Sequence, residues 1–99
     1  MMKAGRALLR SGIDAIDERI IRLLAARQRL TDAMAAFKTA DAVRDDQRIA
    51  AVLSRMRSQA DALDLCPDLV ERIWGLLMEA SAGRQERRLR AGEEEQARR

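Results

Sequence analysis

Along the first third of the chain, Ile13, Ile16, Ile20, Leu23, Arg27, Leu30, Met34 and Phe37 follow one another at steps of 3, 4, 3, 4, 3, 4 and 3. This is a heptad seam, and it predicts one long helix over about residues 7–40. Such a helix is about 50 Å long. It outruns what a small domain can cover, so a second chain is expected over part of the seam. TADAVRDD, residues 39–46, breaks the period and reads as a loop. Ile49, Val52, Leu53, Met56, Ala60 and Leu63 then mark the buried face of a second helix, about 46–63. Asp45 is placed to cap it, because a carboxylate there accepts the free amides of the first turn. DLCPD, residues 64–68, ends this helix, and Pro67 suits the first turn of a third, about 67–89. Val70, Trp74, Leu77, Ser81 and Gln85 form its stripe, widened by Leu69, Ile73, Leu76 and Ala80. The tail RRLRAGEEEQARR has no apolar stripe. The expected organisation is a helical domain over residues 1–89 and a charged, disordered tail over 90–99.

Composition agrees with an all-α class. Of 99 residues 47 % are apolar, yet only Phe37 and Trp74 are aromatic, and Tyr and His are absent. The abundant Ala, Leu, Arg, Glu, Gln and Met favour helices. So small a helical core is expected to be shared with a second copy, giving a homodimer. The net charge of +3 comes from interleaved signs, a mild bias toward anionic partners. With no aromatic platform or basic stripe, nucleic acid is not the expected partner. Cys66 is alone, so no internal disulfide forms, and no apolar run reaches the length of a membrane span. MMKAGRALLR lacks the apolar core of a signal peptide, which makes a cytoplasmic location the expectation.

Several polar residues stand where the stripes call for core. Arg27 occupies the seam, and Lys38, eleven residues on, is close to three helical turns away on nearly the same side. Ser81 and Gln85 continue the stripe of the third helix, and Arg48 flanks that of the second. Each has a structural reading. Arg27 can set register or snorkel. Lys38 suits a helix C-terminus, Asp45 a cap, and Arg48 an ion pair with Asp45. Ser81 and Gln85 can be solvated where the helix ends. A buried cation without a counter-charge is costly, however. The whole set therefore also fits a small polyanionic ligand between the helices. Without His there is neither a Cys–His nucleophile nor a His metal site, and no Gly-rich phosphate loop is present.

LLRSGIDAIDERIIRLLAARQRLTDAMAAFK, then VRDDQR, then LVERIWGLLMEASAGRQ resembles the all-helical chorismate mutases over about residues 8–87. The resemblance implies an intertwined homodimer of three-helix chains, with each of two sites drawing on both chains. It implies rearrangement of chorismate, a small dicarboxylate, to prephenate, without cofactor or metal. It assigns Arg10 to the partner's site, Arg27 to gripping a carboxylate, and Arg48 to supporting the site from the second helix. It gives Lys38 and Gln85 to the ether oxygen, Ser81 to a carboxylate, and the backbone amide of Asp45 to the ring hydroxyl.

Two features depart from the family pattern. Ile49 stands where the family has a Glu that contacts the C4 hydroxyl, and the loop after Lys38 is short. An apolar residue at that position, with FK at 37–38 and RIAAVL at 48–53, also resembles isochorismate-pyruvate lyase. A 4-amino-4-deoxychorismate mutase is a further relative. The remaining alternative is a helical dimerisation module with no activity.

Overall fold

A computed structural model describes residues 2–99, with side chains from residue 4 onward. Three α-helices carry the chain: α1 Met2–Met34, α2 Asp46–Ala62 and α3 Pro67–Arg98. Two short 3-10 turns, Ala35–Phe37 and Ala40–Ala42, lie between α1 and α2. There is no strand among the described residues, so the fold is all-α. The chain divides into two units, residues 1–30 and residues 31–99.

In the first unit the seam of α1 is bare. Ile13, Ile16, Ile20, Leu23 and Leu30 are 48–71 % exposed. Apolar faces are buried in finished folds, so this helix is amphipathic in pattern but not in burial.

The second unit has a small core of its own. Ala40 and Val43 pack in the loop, and Val52 and Ala60 are buried on α2. Ile49, Leu53 and Met56 of the expected face are half-buried, whereas Leu63 lies exposed beyond the end of α2. On α3, Val70, Trp74, Leu77 and Ser81 are half-buried and Gln85 is buried, but Leu69, Ile73, Leu76 and Ala80 are exposed. The stripe of α3 is thus narrower than the sequence suggests.

The helix boundaries follow local chemistry. Asp45 accepts the backbone N–H of Arg48 at 3.1 Å and starts α2 as expected. After α2, Asp64 takes the left-handed conformation at φ 59°, which Asp tolerates better than most residues. Leu65 N–H then bonds back to Ala60 at 2.8 Å. Pro67 opens α3 as expected.

Three boundaries differ from expectation, the first being the start of α1, which lies at Met2 and not near residue 7. The α-helical part of α1 stops at Met34, not near residue 40, because the chain tightens into a 3-10 turn. Phe37, the last seam position, is accordingly 82 % exposed. At the other end α3 does not stop near residue 89 but continues to Arg98. Helix-favouring Arg, Ala, Glu and Gln and an i,i+4 pair, Arg99 with Glu95, support this turn without an apolar stripe.

Candidate functional site

The second unit is held by ion pairs that anchor its loops and helix ends to α3. Arg44 donates to both oxygens of Glu79 at 2.6 and 3.0 Å and meets Glu86 at 2.8 Å. Arg44 directly precedes the Asp45 cap, so this pairing fixes the entry to α2. Arg57 on α2 bridges Asp68 and Glu71, each at 2.8 Å, and fixes the start of α3. Asp32, in the last turn of α1, receives Arg84 at 2.8 and 3.1 Å and Arg88 at 2.8 Å. Direct donation from the facing guanidiniums, Arg84, Arg57 and Arg44 in turn, holds the carboxyls of Asp32, Asp68 and Glu79 below their ordinary range.

Against this frame the positions singled out by sequence fall into place one at a time. Gln85 is 4 % exposed and its side-chain amide donates to the backbone carbonyl of Thr31. A carbonyl only accepts, so the NH2 must face Thr31, which settles which way the amide points. That NH2 carries a second hydrogen, still able to donate. Gln85 is therefore not solvated at a helix end, as one structural reading has it. Ser81 lies one turn before it on α3, half-buried and engaged with other groups of the chain. Lys38 follows the 3-10 turn in extended backbone, φ −134° and ψ 156°, with its N–H on Ala35. Its side chain is consequently not aimed by helical period, and three turns counted from Arg27 do not describe its direction. Lys38 is half-buried and makes no ion pair among the described residues.

Asp45 is an N-cap. Its carboxylate takes the backbone N–H of Arg48, so the side-chain pair expected between these two residues does not form. Arg48 is exposed and Ile49, next to it, half-buried. In the first unit Arg27 is half-buried and engaged within the chain, and Arg10 is exposed. Arg10 borders an open depression shared with Arg6, Ala7, Ser11 and Asp14, all on α1. One helix walls it on a single side, which is too little to enclose a ligand.

Sequence reasoning misses Asp32, Arg84 and Arg88, and also Arg44 with Glu79 and Glu86. The partners lie 35 to 56 residues apart, and no periodicity links them. The one available signal is the pairing of an odd Asp on α1 with an excess of Arg near the end of α3.

By fold this is an all-helical protein in which polar side chains interrupt two apolar stripes. The family model described as chorismate mutase type II matches residues 9–86, and the chain belongs to that family. The matched stretch contains all eight positions discussed above, from Arg10 to Gln85. No curated protein and no solved structure matches the chain. Among the described residues no helix is long and apolar enough to cross a membrane, and no three His, Cys, Asp or Glu side chains gather where a metal ion could be held.

Proposed function

We propose that the chain is a chorismate mutase that rearranges chorismate to prephenate. The observation that carries this reading is Gln85, a buried neutral amide with one hydrogen fixed on Thr31 and one left to donate. A pericyclic rearrangement needs no nucleophile and no general base. It needs the flexible enolpyruvyl arm held over the ring, and donors aimed at the ether oxygen as its C–O bond breaks. Arg27 and Arg48 grip the substrate carboxylates through paired donors, helped by Ser81. Lys38 and Gln85 donate to the ether oxygen, whose growing negative charge they favour more in the transition state than in the ground state. The Asp45 backbone faces the ring hydroxyl. No cofactor or metal enters this scheme.

The working unit in this reading is a homodimer in which Arg10 serves the partner's site. The bare seam of α1 supports it: a contiguous apolar face of five or more large side chains is what a second copy would cover.

One observation favours a second reading. Ile49, half-buried beside Arg48, has no acceptor for a ring hydroxyl. This suits a substrate altered at that ring position, as for isochorismate-pyruvate lyase or 4-amino-4-deoxychorismate mutase. Purified protein given chorismate, isochorismate and 4-amino-4-deoxychorismate separately decides between them. The expected result is prephenate from chorismate as the fastest reaction. Salicylate and pyruvate from isochorismate, or turnover of the amino substrate alone, replaces the first reading with the second. No turnover of any replaces both with a dimerisation module.

A further inference from the structure

The junction between the last turn of α1 and α3 is bound twice over. Thr31 and Asp32 are consecutive on α1, and Arg84 and Gln85 are consecutive on α3. Thr31 takes the Gln85 amide through its carbonyl. Asp32 takes Arg84 through both carboxylate oxygens, Nε to Oδ1 at 2.8 Å and Nη2 to Oδ2 at 3.1 Å. Arg88, one turn further along α3, adds a third contact to Oδ2 at 2.8 Å. The Asp32 side chain keeps only 20 % of its exposure.

The two attachments differ in what they constrain. A single hydrogen bond from Gln85 to Thr31 fixes a distance but leaves the amide plane free to rock about it. The two-pronged grip of Arg84 on Asp32 fixes both separation and rotation of the segments that meet there, because two parallel bonds resist twisting. Arg84 is covalently next to Gln85, so that orientation passes to the amide across one residue. A donor aimed at a developing charge must be held within a fraction of an ångström to act.

We propose that Asp32, Arg84 and Arg88 are positioning residues that aim the free N–H of Gln85 at the reacting oxygen without touching substrate. This deepens the chorismate mutase reading and rests on it. Arg84→Lys keeps the charge but loses the fork, while Arg88 still neutralises Asp32, so the fold persists. Asp32→Asn attacks the same clamp from the other side.

The test is a double-mutant cycle on chorismate turnover, each variant made alone and in a Gln85→Ala background. Alone, Arg84→Lys and Asp32→Asn should each lower kcat about tenfold, with KM within about twofold and the thermal midpoint of Arg84→Lys little changed. In the Gln85→Ala background neither should lower kcat further. An equal drop in both backgrounds, or no drop in the first, overturns the clamp's role. A second readout needs no turnover: the side-chain NH2 signals of Gln85 in nitrogen-15 spectra. They should exchange slowly in the wild type and faster in Arg84→Lys. An inactive wild type with that response intact would sink the mutase reading and leave the clamp standing. An active wild type whose Gln85 signals ignore Arg84→Lys overturns the clamp.

Discussion

Residues 1–30 and residues 31–99 solve the same problem in opposite ways. The second unit closes on itself: its loop and helix ends are tied to α3 by Arg44, Arg57, Arg84 and Arg88, each on a carboxylate of the same chain. The first unit leaves its apolar seam to solvent. A helix rarely holds such a face open without a reason, since burying one large aliphatic side chain contributes about 1.5–3 kcal/mol. The difference teaches that residues 31–99 carry the internal ties, whereas residues 1–30 leave exposed the apolar face that the proposed dimer would cover. The cations divide in a similar way. Those on carboxylates hold the fold, and Arg10, Lys38 and Arg48 make no such pair among the described residues.

The strongest break in this comparison comes from Lys38. If it serves chemistry and not the fold, Lys38→Ala should lower kcat on the order of 100- to 1,000-fold while thermal unfolding stays near wild type. Steady-state kinetics beside a melting curve checks both halves, and a large fall in stability with normal kcat would move Lys38 to the structural set. Next is the seam itself. Ile20→Glu, at a position 48 % exposed in the single chain, should weaken self-association about 100-fold if a copy covers it. Sedimentation across a concentration series would reveal this, and a wild type that stays monomeric throughout removes the dimer.

A smaller effect sharpens the contrast through acid. Asp32, Asp68 and Glu79 have their carboxyl pKa values lowered by folding. Their stabilising share is therefore complete above the unfolded carboxylate range and is lost as pH falls through the folded values. The thermal midpoint should drop below about pH 4, and Asp32→Asn should flatten part of that drop. The least effect is expected at the turn after α2. Asp64→Gly relieves a left-handed residue at the cost of a more flexible unfolded chain, for a net gain of at most about 1 kcal/mol by chemical denaturation.

How much of this was legible in the sequence follows from what kind of signal each feature leaves. The start of α2 and the start of α3 were readable because Asp45 and Pro67 act locally, on amides one turn away. The end of α1 was not, since the heptad steps run on through Phe37 while the backbone tightens beneath them. The end of α3 was missed for the opposite reason: residues 90–98 are helical by propensity and charge spacing, with no stripe to announce it. Of the candidate site, Arg27, Ser81 and Gln85 are visible as polar residues in apolar stripes and Lys38 and Arg48 beside them, whereas Arg10 is visible only through the family pattern. The partner of Gln85 was invisible, because Thr31 contributes a backbone carbonyl, which every residue has. Asp32 and Arg84, 52 residues apart, are joined only by tertiary structure.

The bond between Gln85 and Thr31 also bears on how this chain can evolve. One amide holds the end of α1 to α3 and, in the proposed chemistry, faces the substrate with its other hydrogen. A substitution at 85 that loses the donor is penalised twice, once in architecture and once in turnover, which leaves that position little room to drift. The Ile49 side chain makes no hydrogen bond, and its backbone N–H on Asp45 is one that any residue but Pro supplies, so only the packing of a half-buried side chain resists a change there. New substrate preferences should accordingly arise at 49 long before they arise at 85, with the donor kept as inherited hardware.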